Sequence, residues 1–175
     1  MRHGMGLPNR EGPDHDIDRR RPQMTAYRIV LADDHYLIRE GLRSILEENA
    51  DLQVVGEASD GLELLFLLDE LKPHLVILDI SMPKLQGIET AHQIKMKYPG
   101  MKILILTMHR EREYLYDAIY AGVEGYLLKE DAAEELLLSI DSIRRGEGFL
   151  SPIHRAALEE RHRFLPEFLK FFMDS

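Results

Sequence analysis

From Tyr27 onward the apolar positions fall into a regular alternation of two periods. Tyr27–Ala32 (YRIVLA) is a short run of β-formers and predicts a buried strand. Tyr36–Glu48 then places Leu37, Ile38, Leu42, Ile45 and Leu46 at helical spacing. The alternation continues with strands predicted at Gln53–Ala58, Leu75–Leu78, Lys102–Leu106 and Gly125–Leu128. Between and after them, helices are predicted from an Asp60 cap to Leu71, over Gly87–Lys97, over Glu111–Ala121 and over Ala132–Arg145. Pro73, the turn Pro99-Gly100 and Gly122 punctuate the series. Five βα units whose strands are apolar on both faces imply a parallel sheet covered by helices on each side. The expected fold is therefore α/β: a five-stranded, doubly wound parallel sheet in flavodoxin-like order.

The segments flanking this pattern differ from it. Residues 1–24 are rich in Arg, Asp, Gly and Pro and predict a disordered N-terminal tail. Met24 is then a candidate second start, and Arg19-Arg20-Arg21 a run read as solvated. Residues 149–175 carry Phe164, Leu165, Phe168, Leu169, Phe171 and Phe172, an apolar set of helical character interrupted by Pro166. The predicted division is a tail over 1–24, a domain over 25–148 and a short helical tail over 149–175. That last piece is too short to build a multi-helix module with its own core. Its aromatic stripe fits a helix packed back on the domain, a partner or dimer helix, or the remnant of a truncated or shifted frame; docking or dimerisation is favoured.

Composition narrows the possible functions. Net charge is −9, and the two flanks are nearly neutral, so the acidity lies in the central domain. An acidic domain does not favour nucleic-acid backbones, and direct DNA binding is not expected. There is no Cys, which excludes disulfides, thiolate nucleophiles and Cys-based metal sites. No apolar run is long enough for a membrane span, and residues 1–24 lack a secretory core; a soluble, cytoplasmic protein is expected.

The chemistry gathers where the strands end. Asp33-Asp34 follow the first strand, Asp79 the third, Thr107 the fourth and Lys129 the fifth. Ligands of open parallel sheets bind outside the carboxyl ends of the strands, so these residues share one edge. A single Asp in such a place is commonly a helix cap, and a lone Thr or Lys means little. The set of five is not explained by capping. Three clustered carboxylates repel one another by about 3 kcal/mol per pair at ~5 Å and an effective dielectric near 20. A hard divalent cation removes that cost, and Mg²⁺ suits a few carboxylates, a carbonyl and water. With Lys129 and Thr107 beside it, such a site suits a transferring phosphoryl group, and one carboxylate is left to attack phosphorus. Asp79, on a central strand before a short loop restricted by Pro83, is the best nucleophile. His35 and His109 lie nearby without the spacing of a transition-metal site. A nucleotide or flavin site would want a glycine-rich loop where Asp33-Asp34-His35 stands.

At these residues the chain resembles response-regulator receiver domains of the NarL/FixJ-like (LuxR-type) group. The matching stretches are VLADDHYLIREGLRSIL (30–46), VVGEASDG (54–61), PHLVILDISMP (73–83), ILILTMH (103–109) and AGVEGYLLKE (121–130). The resemblance implies that Asp79 accepts phosphate from a sensor histidine kinase. It implies that Asp33, Asp34, Asp79 and the backbone carbonyl of Ser81 hold Mg²⁺ (or Mn²⁺), with Asp34 the direct ligand of the acidic pair. Thr107 and Tyr126 match the switch positions, and Lys129 the lysine that pairs with the phosphate. Ser81 and His109 fall where the lifetime of the acyl phosphate is tuned. Thr107 moves toward the phosphoryl group, Tyr126 fills the space left, and a homodimer or downstream partner reads the altered face. Such a chain is a self-phosphorylating switch rather than a turnover enzyme, with no further cofactor. Members of the group usually continue into a helix-turn-helix, which is not recognisable here. A transcription regulator missing its DNA-binding part and a phosphorylation-independent adaptor are the alternative readings.

Overall fold

The computed structural model describes residues 25–159 and 167–173. The expected tail over 1–24, Met24 included, and Phe164 and Leu165 of the aromatic stripe lie outside the described residues. The side chain of Phe168 does too. Strands β1 (Tyr27–Ala32), β2 (Leu52–Ala58), β3 (Leu75–Leu78), β4 (Lys102–Thr107), β5 (Gly125–Leu128) and β6 (Phe149–Leu150) form one parallel sheet in the order β2-β1-β3-β4-β5-β6. Helices α1 (Tyr36–Glu47), α2 (Gly61–Leu71), α3 (Gly87–Lys97), α4 (Arg112–Tyr120), α5 (Ala132–Arg144), α6 (Pro152–Glu159) and α7 (Glu167–Lys170) complete the chain. Among the described residues, no helix is long and apolar enough to cross a membrane.

The doubly wound order follows the alternation of side chains along each strand. Ile29 and Leu31 of β1, Leu75 and Ile77 of β3, and Leu104 and Leu106 of β4 point to one face. There they meet Leu42 and Leu46 of α1 and Leu136, Ile140 and Ile143 of α5. Val30, Val76, Leu78, Ile103 and Ile105 point the other way, onto Leu64 and Leu68 of α2, Ile94 of α3 and Ala118 of α4. Each such large side chain contributes about 1.5–3 kcal/mol by leaving water. The predicted Asp60 cap is in place: its carboxylate accepts from the Glu63 amide at 2.9 Å. α2 then ends at Lys72 in a left-handed conformation just before Pro73, and Gly122 takes a positive φ of 86° after α4.

Two expectations are corrected. The sheet has six strands, not five, and the chain after residue 148 is part of it. Phe149 and Leu150 pair with Gly125 and Tyr126, so the boundary predicted at 148 cuts through a strand pair. A two-residue strand is too short to show as a period in the sequence; its partner supplies the signal. Of the readings of the aromatic stripe, packing back on the domain holds for Leu169 and Phe172, while Phe171 stays 41% exposed. Leu158 of α6, Leu169 of α7 and Phe172 are buried in the core on the α4 side of the sheet.

Candidate functional site

Sheet register assembles the site. Ala32 pairs with Leu78, so the next residues along, Asp33 and Asp79, emerge side by side from adjacent parallel strands. The Asp79 amide donates to the Ala32 carbonyl at 2.8 Å and fixes that turn of chain. Thr107 pairs with Leu128, so Lys129 leaves β5 one step beyond it. Gly87, at the start of α3, lets the helix lie against the chain leaving Asp79. A Cβ there would stand 2.3 Å from the Asp79 carbonyl oxygen and 2.5 Å from Ile80 Cα.

Three charged groups are buried together: Asp33 and Asp79 are 2% and 1% exposed, and the Lys129 side chain 6%. Lys129 Nζ donates to Asp79 Oδ2 at 3.0 Å. The same nitrogen stands 2.6 Å from Asp33 Oδ2, but outside hydrogen-bond geometry. That oxygen is therefore buried beside a cation without a directed donor. The other carboxylate oxygens are oriented locally. Asp33 Oδ1 accepts from the His35 amide at 2.8 Å, and Asp79 Oδ1 from the Ser81 amide at 3.2 Å. One ammonium against two buried carboxylates leaves the pocket one negative charge in excess. Asp34, more exposed, adds a second.

Asp33, Asp34, His35 and Asp79 each offer a ligand atom, and these all lie within 4.8 Å of one another. The donor set fits a hard cation. Three of the four are carboxylates, and among the described residues the buried side-chain oxygen without a hydrogen bond belongs to Asp33. His35 joins the cluster although it lacks the spacing of a transition-metal site. Its Nδ1 lies 3.1 Å from Asp33 Oδ1 and 3.0 Å from Asp34 Oδ1. An i, i+1, i+2 run after a strand was the available signal.

The remaining predicted residues stand around this pocket. Thr107 is fully buried, and its hydroxyl accepts from the His109 amide at 3.1 Å. Ser81 Oγ and His109 Nε2 are 2.8 Å apart, which joins the loops after β3 and β4 across a cleft of about 200 Å³. The His109 ring stacks on Tyr114 at 4.2 Å. Tyr126 is completely buried, and its hydroxyl donates to the His109 carbonyl at 3.1 Å. Burial pushes that hydroxyl far above the usual tyrosine range. Tyr126 is thus already inside the protein in this state. Sequence reasoning also missed His154 of α6, whose ring meets Tyr126 edge-on at 5.0 Å. Its spacing of four from Leu158, also buried, was the only hint.

Known proteins resemble this chain in sequence and fold. The family model described as the response regulator receiver domain matches residues 29–141. The uncharacterized transcriptional regulatory protein YxjL of Bacillus subtilis is 40% identical over 131 residues, 75% of this chain and 60% of the relative. A solved two-component response regulator of the LuxR family from Aurantimonas sp. SI85-9A1 superposes with a TM-score of 0.74 at 36% identity. The match covers 78% of this chain and 99% of that one. The isolated receiver domain of RcsB from Salmonella enterica serovar Typhimurium, solved with phosphomimetic BeF3-, gives 0.69 at 31% identity, covering 74% and 96%. The chain spans 51–60% of the length of the first curated relatives it matches.

Proposed function

The chain belongs to the response regulator receiver domain family, and on that premise we propose that Asp79 takes a phosphoryl group from a histidine kinase and thereby switches a protein-interaction or dimerisation surface. The observation that carries this reading is the buried Asp33–Lys129–Asp79 cluster, whose negative charge exceeds its positive charge. Burying an uncompensated carboxylate costs several kcal/mol, and a purely structural site would have paired it. An Asp79 carboxylate oxygen attacks phosphorus, the P–N bond to the kinase imidazole breaks, and a P–O bond forms. The imidazole leaves as a neutral base once it has taken up a proton. Lys129, already beside Asp79, is in place to pair with the incoming phosphoryl oxygens. Asp33, Asp34, Asp79 and the Ser81 carbonyl would hold Mg²⁺ (or Mn²⁺), which when bound offsets carboxylate repulsion and phosphoryl charge. The phosphoryl group carries about −1.5 to −2 where the carboxylate carried −1, and it draws the Thr107 hydroxyl, and with it the loop after β4. Ser81 and His109, bonded across the cleft, set the access of the water that later hydrolyses the acyl phosphate. The receiver extends from about residue 25 through β6, and its setting is the cytoplasm.

The test is incubation with Mg²⁺ and acetyl phosphate, read by intact mass and by oligomeric state together. One phosphoryl mass on the wild type and none on Asp79→Ala is the expected result. Labelling that survives Asp79→Ala sinks the assignment.

The length of the relatives favours a second reading of the output. Several are transcriptional regulatory proteins that this chain spans only in part. The phosphorylated surface would then serve a DNA-binding partner domain outside these 175 residues, with no DNA contact made by the chain itself. Operator binding by the isolated chain, tested by gel shift at varied salt, would contradict that division.

A further inference from the structure

We propose that the C-terminal segment from Ser151 through α6 is a positioning element of the phosphoryl switch, holding Tyr126 buried so that its docking and phosphorylation of Asp79 favour each other. The proposal rests on Asp79 being the phosphoacceptor.

Two hydrogen bonds from this segment, and one from β6 just before it, fix β5 on its outer side. The Phe149 amide donates to the Glu124 carbonyl at 3.0 Å, and the Ser151 amide to the Tyr126 carbonyl at 2.9 Å. The Ser151 hydroxyl, completely buried, accepts from the Leu128 amide at 2.7 Å. Leu128 is also buried, so without Ser151 that donor would be orphaned. The next residue is Lys129, so the backbone that delivers the site lysine is anchored by the C-terminal segment.

His154 completes the contact. Its Nε2 stands 3.3 Å from the Arg110 carbonyl, which requires the proton to be on Nε2. Nδ1 is then a bare acceptor, buried and without a partner. A buried polar atom left unpaired calls for an explanation beyond packing. Here the ring is held where its edge contact with Tyr126 and its bond to Arg110 are both made.

These contacts converge on one short loop. The His109 amide bonds the Thr107 hydroxyl, the His109 carbonyl accepts from Tyr126, and the Arg110 carbonyl accepts from His154. Movement of Thr107 toward a phosphoryl group on Asp79 therefore acts on the backbone from which Tyr126 and His154 both hang. The segment holds the ring inward in advance, so phosphorylation has less ordering left to do. Linkage is reciprocal: a segment that favours phosphorylation is itself tightened by it.

The experiment uses the full chain with Mg²⁺ and excess acetyl phosphate. Hydrogen exchange over residues 152–158 is measured with and without the donor, and the steady-state phosphorylated fraction is read by intact mass. The wild type should gain about fivefold or more in protection over 152–158 on phosphorylation, and Asp79→Ala should gain none. His154→Ala should lower the ratio of phosphorylated to unphosphorylated protein about fivefold, and His154→Phe, which keeps the ring edge, should recover part of it. A merely structural helix would show no change with phosphorylation. Unchanged or reduced protection in a labelled wild type overturns the proposal, and that comparison stands even if His154→Ala does not fold. A wild type that takes no phosphoryl group at all overturns the assignment of Asp79 and this coupling with it.

Discussion

At the carboxyl ends of β1, β3 and β5, two carboxylates and one ammonium are buried together beside a cleft of about 200 Å³. At the amino ends of β1, β3 and β4 lies a larger cleft, about 550 Å³, lined by Tyr27, His74, Tyr98 and Arg144 among others. Its charged groups face solvent: Lys72 and Arg144 are exposed. Arg144 pairs with Asp51 at 2.6 Å and lies 4.9 Å over the Tyr27 ring, which stacks on His74. Lys102 stands 3.5 Å from Glu124. The roomier end keeps its charges in solvent, and the tighter end buries an excess of one sign. Uncompensated buried charge, not volume, marks the end where chemistry is expected.

The largest effect that would test this contrast is on Lys129. Lys129→Met leaves Asp33 and Asp79 buried and unpaired, which should cost about 3–5 kcal/mol of stability without divalent cation. Urea unfolding at neutral pH measures it, and added Mg²⁺ should restore part of the loss while labelling of Asp79 stays slow. Wild-type stability in the metal-free variant would mean that the pocket's charges are not held against their mutual repulsion.

Gly87→Ala comes next. The added methyl has the Asp79 carbonyl and Ile80 Cα in its way, so α3 must shift from the loop that aims Asp79. A cost of about 1–3 kcal/mol is expected, together with slower phosphorylation. Full labelling speed in a destabilised protein would show that the aim of Asp79 does not depend on α3.

A smaller effect is expected from pH. Burial lowers the affinity of His154 for a proton below the ordinary histidine range. Its folded pKa is depressed, so its contribution to stability is complete above the unfolded value near 6.5 and declines as pH falls below it. Residues 152–158 should therefore exchange faster at pH 5.5 than at pH 7.5 after correction for intrinsic rates, and His154→Phe should flatten the difference. A wild-type profile indistinguishable from that of His154→Phe would rule out the buried neutral ring as the cause.

Most of the acidic pocket was readable before any coordinates. The apolar runs at β1, β3, β4 and β5 are long enough to declare themselves, and each ends on the polar residue that enters the site. Parallel pairing then does the rest, since register brings Asp33 beside Asp79 without any further instruction. The C-terminal part was not readable in the same way. Phe149-Leu150 has no period of its own, and its strand exists only because the edge of β5 is there to pair with it. His154 looks like any helical histidine until Tyr126 is placed under it. Thr107 shows a further limit: its position was legible, but its hydroxyl is engaged by the His109 amide, a local turn bond that strand patterning does not report.

The smallest expected effect probes the solvent-facing end. Asp51 follows α1 just before β2, and its carboxylate meets Arg144 at the end of α5, both partly exposed. The Arg144 guanidinium holds the Asp51 carboxyl below the usual carboxylate range, yet solvent screens such a pair. Asp51→Ala should cost about 0.2–1 kcal/mol, and less in high salt. The backbone bond from the Tyr27 amide to the Asp51 carbonyl survives the substitution, so β1 keeps its start. Labelling of Asp79 should then be unchanged, because nothing at this end touches Asp33, Asp79 or Lys129. A severalfold change in labelling would mean that charge at the amino ends of the strands is felt at the carboxyl ends, and the two halves of the sheet would have to be treated as one electrostatic unit.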